Sequence, residues 1–400
     1  MAVVVTVASA AACSTVADTP SPTSVAPPPA SASGAPTAGP EHASPEAPDG
    51  PIDSKAQVLF VGRFDTTDPA GPKAAWPGAR ILTRFDGTDI SVTMSEFAEP
   101  WMEGAPSYWE ISIDHGPWRA ISMIADDTPH VFEIAKDLPK GPHEVELYKR
   151  SETQTGITQF LGFDLHGGRA LPPPPRQARH IEVMGDSQTT GFGIEMIDAP
   201  ETDCPGVDHA GKYQNFRKAW GAILGTTFDA EVHGIAYSGK GLIKNITPDD
   251  PDALVRYYPR ANPNPAIQNS NPPMFDLTSW IPDVIVLAQG AIDFNQGHVD
   301  YGEFKTAYRT FVIDTLRARA PNAFIMMAVI GKGGRDAIPG IADEIIAERA
   351  KVGDTRLSSF VAKLYTWDEM LGCNGHGTPA FHQRVAGEMA TMIRDRVGWR

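Results

Sequence analysis

The sequence predicts an all-β sandwich over residues 54–170, followed by a three-layer α/β domain over residues 178–400 built on a parallel sheet. Three observations carry this. Apolar residues alternate with period two in the first part, four nearly continuous apolar runs separated by helix-period stretches fill the second, and the break "LPPPP" (Leu171 to Pro175) stands between them. A chain of 400 residues that is 42% hydrophobic and 21% charged has the length of two domains and the composition of a globular protein.

The chain opens on "MAVVVTVASAAAC", an apolar leader over residues 1–13 that ends in small residues and is similar to a bacterial lipoprotein signal with Cys13 as the lipidated residue. The alternative is an ordinary secretory signal cut after an Ala-x-Ala site. Both imply export. Residues 14–53 are rich in Pro, Ala, Ser and Thr with almost no large apolar side chain, so they are expected to be a disordered tether. The formal net charge of −15 repels a phosphate backbone and argues against nucleic acid as a partner. No apolar run reaches the roughly 20 residues of a spanning helix, which leaves a lipid anchor as the expected membrane attachment. With Cys13 lipidated or removed, Cys204 and Cys373 are an even pair in an oxidising compartment and hence a disulfide candidate; the alternative is two separate buried thiols. Their spacing does not suggest a metal site.

In the sandwich, Ile90, Val92 and Met94 alternate with polar residues, as do Trp109, Ile111 and Ile113, and Val145 and Leu147, with turn signals such as "FDGTD" and "DHGPW" between. In the second domain "HIEVM", "FDAEVHGIAY", "DVIVLAQ" and "NAFIMMAVI" suit strands buried on both faces. Tyr213, Phe216, Trp220 and Ile223 suggest one helical face, Phe304, Tyr308, Phe311 and Leu316 a second, and Ile341, Ile345 and Ile346 a third. Helical connections of this length force parallel strands.

Each run ends in small polar residues: Gly185-Asp186-Ser187, Ser238-Gly239-Lys240-Gly241, Gly290-Ala291-Ile292-Asp293 and Gly331-Lys332-Gly333-Gly334. Ligands bind at the carboxyl ends of strands in an open parallel sheet, so the four loops are expected to converge on one crevice. Ser187 is the candidate nucleophile, and a serine hydroxyl needs a nearby base and oxyanion donors. His376, in the Gly-rich loop "LGCNGHG", is the candidate base. His382 is expected on the first turn of the following helix, pointing elsewhere, and His180, His233 and His298 are read as structural or surface residues.

At these residues the chain resembles the GDSL/SGNH hydrolases: "GDSQTTGFG" is similar to their first block and "AYSGKG" to their second. It resembles carbohydrate esterase family 2 in particular, through the junction "ELYKRSETQTGITQFLGFDLHGG" ahead of "IEVMGDS", and through "GCNGH". The resemblance implies a flavodoxin-like SGNH domain after a jelly-roll sandwich. It implies an acetylesterase acting on xylan- or glucomannan-like polysaccharide through a Ser187–His376 dyad, with no metal or cofactor. It also implies an oxyanion hole made by the backbone N–H groups of Ser187 and Gly239. A monomer with acetylated carbohydrate as its partner is the corresponding expectation.

Three positions depart from the family pattern. The oxyanion asparagine of the third block is Ile292, and removing one such donor costs about 2.7–4 kcal/mol of transition-state stabilisation. The acidic partner of the histidine is replaced by Cys373 and Asn374, so a neutral amide, with Asn374 the candidate, or a backbone carbonyl is left to orient the ring; the alternative for Asn374 is an Asx-turn residue. The usual His-Pro is His376-Gly377, a looser loop that a Cys204–Cys373 bridge would tether. Two alternatives follow from Ile292: a catalytically weakened glycan-binding protein, or an esterase for a different acyl group or alcohol.

Overall fold

The computed structural model describes residues 56–98, 106–197, 204, 209–247, 249–263, 271–295 and 297–400. The leader with Cys13 and the tether over residues 14–53 lie outside the described residues.

The first part holds β1 (Val58–Val61), β2 (Lys73–Ala74), β3 (Arg80–Gly87), β4 (Ile90–Ala98), β5 (Tyr108–Ile113), β6 (Arg119–Ser122), β7 (His130–Ala135), β8 (Gly141–Lys149), β9 (Gly156–Asp164) and β10 (Arg169–Leu171). They form two antiparallel sheets. One has the order β1-β3-β8-β5-β6 with β10 also on β3, and the other has the order β2-β9-β4-β7. The alternation read from the sequence is the reason they stack. Ile90, Val92 and Met94 of β4 face Trp109 and Ile111 of β5 and Val145 and Leu147 of β8 across one buried cluster.

The second part holds β11 (Arg179–Gly185), β12 (Ala230–Ala236), β13 (Val284–Ala288), β14 (Phe324–Val329) and β15 (Leu357–Val361), all parallel in the order β12-β11-β13-β14-β15. Helices labelled here are α1 (Ser187–Thr190), α2 (Trp220–Phe228), α3 (Tyr301–Thr310), α4 (Ile338–Ala350) and α5 (Pro379–Val397). Ile181, Val183 and Val286 pack on one sheet face against Trp220 and Leu224 of α2 and Phe381 and Val385 of α5. Met184, Ile285 and Leu287 pack on the other face against Phe304 and Tyr308 of α3 and Ile341 and Ile345 of α4. Three layers result.

Two local readings change. Helix α2 starts only at Trp220, so Tyr213 and Phe216 precede it; Phe216 sits in a 3-10 turn, yet its ring joins the same buried cluster as Trp220. Helix α3 runs on into a π-type stretch, Phe311–Arg317, and this wide turn brings Leu316, five residues after Phe311, back onto the buried face.

The two lobes are joined by polar contacts as well as by the packing of Tyr148 and Trp76 into the clusters of the second part. Arg63 of the sandwich donates to Glu182 of β11 at 2.9 Å, and Arg150 donates to the carbonyls of Gln214 at 2.9 Å and Lys212 at 2.8 Å. Among the described residues no helix is long and apolar enough to cross a membrane.

Candidate active site

The strand order places β11 at the topological switch point, with β12 on one side and β13 on the other, and their carboxyl ends form the crevice. Pairing of β11 ends at Gly185; Asp186 follows in an extended conformation and caps α1, its carboxylate accepting from the Gln188 N–H at 3.1 Å. Ser187 is therefore the first residue beyond the sheet, half-buried at the crevice floor. Burial pushes Asp186 up to about 6, and the neighbouring Asp293 carboxylate adds to the shift.

His376 arrives from the far end of the chain on a loop fastened at four points. The Gly372 N–H donates to the His376 carbonyl at 3.0 Å and the His376 N–H to the Gly372 carbonyl at 3.2 Å. Cys373 donates its N–H to the Met196 carbonyl at 2.9 Å, and Gly377 donates to the side-chain oxygen of Gln188, the residue after Ser187, at 3.1 Å. Cys204 and Cys373 are bonded to each other, with Cα atoms 5.2 Å apart. Gly193, with φ of 71°, lets the segment after α1 approach so closely that a Cβ there would sit 2.6 Å from the Cys373 carbonyl oxygen.

Ser187, Gly239, Ile292, Asn374 and His376 all line one cleft of about 610 Å³, together with Gln154 from the sandwich lobe. Phe192 packs against the His376 ring in a tilted arrangement, with centroids 4.7 Å apart. Nδ1 of His376 is buried and makes no hydrogen bond of ordinary geometry, while the backbone carbonyls of Asn374 and Cys373 lie close enough to favour its protonation. No hydrogen bond joins Ser187 Oγ to His376 among the described residues, which leaves the hydroxyl open to the cleft and Nε2 as the nitrogen able to serve it. Burial pushes His376 down to about 4, opposed by the backbone carbonyls of Asn374 and Cys373. A neutral imidazole at physiological pH is the form a base requires.

Asn374 meets the imidazole through its backbone carbonyl and not through its side chain. It is exposed, its backbone lies in the left-handed region at φ 58°, and its side chain makes no hydrogen bond to the ring. This is a turn position that asparagine tolerates, but no side-chain hydrogen bond of an Asx turn closes it among the described residues. The fourth loop, Gly331 to Gly334, does not reach the cleft. Gly333 packs instead against Ala291, where a Cβ would sit 2.8 Å from the Ala291 Cα.

The backbone N–H groups of Ser187 and Gly239 donate to no protein acceptor among the described residues. Gly239, at φ 74°, could not carry a Cβ without meeting the Ile246 side chain at 2.8 Å. Its loop is held from below by Asp293, whose carboxylate accepts from the N–H groups of Leu242 at 2.8 Å, Ile243 at 2.9 Å and Lys244 at 2.9 Å. Burial raises Asp293 against the pull of those three donors. Ile292, the residue before it, presents an alkyl group to the cleft. Lys240, also in the cleft, is paired with Asp250.

The four other histidines read from the sequence lie elsewhere. His382 is fully buried in α5 and accepts from the Trp220 N–H at 3.3 Å, His233 stacks on Trp280 at 3.6 Å, His180 bonds the Ile281 carbonyl at 2.9 Å, and His298 is exposed. Among the described residues no group of three or more His, Cys, Asp or Glu side chains forms a metal-binding set. Gln188, Asp293 and the sandwich residues Glu152 and Gln154 lie within the quoted stretches, but nothing in those stretches gives them a role. Their chemistry is ordinary until folding sets them beside the cleft.

A family profile described as "Carbohydrate esterase 2 N-terminal" matches residues 60–175. The chain is 29% identical over 352 residues to the cellulase/esterase CelE of Acetivibrio thermocellus, covering 87% of this chain and 40% of that protein. It is 25% identical over 348 residues to an acetylxylan esterase / glucomannan deacetylase of Cellvibrio japonicus, covering 86% of this chain and 90% of that one. Among solved structures, a family two carbohydrate esterase from Clostridium thermocellum in complex with cellohexaose superposes with a TM-score of 0.76 at 28% identity, covering 86% of this chain and all (100%) of that one. A family two carbohydrate esterase from Cellvibrio japonicus superposes with a TM-score of 0.72 at 25% identity, covering 87% and 97%. Sheet order and strand-end loops, with an antiparallel sandwich ahead of them, thus define an SGNH-type hydrolase fold. Within that class the chain is similar to carbohydrate esterase family 2, whose N-terminal profile matches residues 60–175.

Proposed function

We propose that the chain is an exported serine esterase that removes O-acetyl groups from xylan- or glucomannan-like polysaccharide. The observation that carries this reading is the shared cleft, with Ser187, His376 and two uncommitted backbone N–H groups on its wall. In this reading Ser187 Oγ attacks the acetyl carbonyl while Nε2 of His376 takes its proton. The Ser187 and Gly239 N–H groups hold the oxyanion, and the protonated imidazole then delivers its proton to the departing sugar hydroxyl. Water, activated by the same imidazole, releases acetate from the acyl-enzyme. The acetylxylan esterase / glucomannan deacetylase name of the Cellvibrio relative supports the substrate class. Acetate release from acetylated xylan and acetylated glucomannan, with Ser187→Ala as control, tests it; equal release by the two proteins would leave the glycan-binding alternative.

Ile292 and the exposed Ile246 line the same cleft and favour a second reading, in which an acyl group longer than acetyl is accepted. Ile292→Asn is expected to restore a donor and raise kcat on p-nitrophenyl acetate by about 10–100-fold, while lowering the rate on longer acyl esters. An unchanged kcat would contradict the view that this position limits the reaction. A panel of p-nitrophenyl esters from acetate to octanoate decides between the two readings, and a strict acetyl preference in the native chain removes the second.

A further inference from the structure

We infer that Glu152, which belongs to the sandwich lobe, is a positioning residue that sets the Gly239 oxyanion donor from across the lobe boundary. The inference rests on the esterase reading above. Glu152 lies between β8 and β9, outside the α/β lobe, and is fully buried. One carboxylate oxygen accepts from the Ser238 N–H at 2.6 Å; the other accepts from the Ser238 hydroxyl, from Gln214 Nε2 at 2.6 Å and from Gln154 Nε2 at 3.0 Å. Its own N–H donates to Gln214 Oε1 at 2.8 Å, and Lys149 Nζ holds its carbonyl at 3.3 Å, so the carboxylate cannot swing away. Ser238 directly precedes Gly239. Gripping both the amide and the hydroxyl of Ser238 fixes the peptide that carries the Gly239 N–H, just as Asp293 fixes the loop further on at residues 242–244. Two buried carboxylates from different lobes therefore clamp the loop on either side of the donor. Gln154, two residues beyond Glu152, continues from this contact to the cleft wall.

The arrangement has a pH signature. Glu152 faces neutral Ser238, Gln214 and Gln154; the titratable groups around it are Lys149 on its own segment, Asp186 at the cap of α1 and the buried phenol of Tyr257, with Glu96 beside Lys149. Burial pushes Glu152 up to about 7 against the opposing Ser238 hydrogen bonds. A carboxyl with a raised pKa is ionised above that value and protonated below it, and protonation turns one acceptor into a donor and releases Ser238. The rate therefore rises with pH through this region. His376, displaced in the opposite direction, is already neutral there.

The test compares kcat and KM on p-nitrophenyl acetate for the full chain, Glu152→Gln, Ser238→Ala and Ser187→Ala between about pH 5 and 9. Glu152→Gln keeps the size and removes an acceptor. It is expected to lower kcat about 30-fold or more with KM within about threefold, and to abolish the transition near neutral pH. Ser238→Ala, which removes only the hydroxyl donor, is expected to lower kcat about 3–10-fold. Native kcat in Glu152→Gln, or a neutral-pH transition that persists in it and so belongs to Asp186 or His376, would overturn the inference. If Glu152→Gln does not fold, Ser238→Ala decides, and native kcat there overturns it. Ser187→Ala separates the two levels: an inactive Ser187→Ala beside a fully active Glu152→Gln removes only the positioning role, whereas an active Ser187→Ala removes the esterase reading itself.

Discussion

Ser187→Ala is expected to lower kcat for acetate release by roughly 10⁴–10⁶-fold with little change in KM, and His376→Ala to do nearly the same. Both effects are losses of transition-state stabilisation. The substrate still fills a cleft of about 610 Å³ whose walls are unaltered, but no group remains to form the acyl bond or to take the hydroxyl proton. Because the two residues act as one unit, the double substitution should be no worse than the more severe single one. Steady-state kinetics on p-nitrophenyl acetate check this. A multiplicative loss in the double variant would mean that the serine and the histidine serve separate steps.

The second large effect concerns the Cys204–Cys373 bridge. It closes a sequence separation of 169 residues, and cross-linking so long a loop restricts the unfolded chain strongly. Breaking it is expected to cost about 2–5 kcal/mol and to lower Tm by roughly 5–15 °C. The functional consequence follows from location: Cys373 is three residues before His376, and the bridge, the Cys373 N–H bond to Met196 and the Gly377 bond to Gln188 hold the base loop against the nucleophile segment. With one of these three removed, kcat should fall about tenfold as the imidazole loses its fixed position. Calorimetry and kinetics on the Cys204→Ala/Cys373→Ala chain, alongside the reduced native protein, measure both effects. Unchanged Tm and kcat in both samples would mean the bridge neither stabilises the fold nor positions His376.

The contrast between what the sequence discloses and what it conceals has a physical basis. Ile90, Val92 and Met94 reveal their strand because a half-buried strand must alternate, and Val284 to Leu287 reveal theirs because a strand covered on both sides must be continuously apolar. Strand β15 escapes the same reading because Ser358 and Ser359 interrupt its apolar run, Ser358 being buried alongside Leu357 and Phe360 while Val361 is exposed at the sheet edge. The end of α3 looks irregular at Leu316 because its spacing from Phe311 belongs to a π-type turn rather than an α-helix.

For the site the division is similar. Ser187 and His376 stand out because a serine at a strand end and a histidine in a glycine loop are local features with a chemical meaning of their own. Glu152 and Asp293 act through long-range contacts: one reaches Ser238 across 86 positions, the other reaches back about 50 positions to Leu242, Ile243 and Lys244. Nothing near them in the chain marks those partners. Asn374 shows the converse. Its place two residues before the histidine suggested a role in the ring's orientation, but the left-handed backbone that closes the loop turns its side chain to solvent.

The most direct measurement of the central claim is covalent labelling with an organophosphate ester, followed by intact-mass and peptide mass spectrometry. The account predicts a single phosphoryl adduct on Ser187, none in Ser187→Ala, and labelling at least about 100-fold slower in His376→Ala. An adduct on any other residue, or His376→Ala labelling as fast as the native chain, would contradict it.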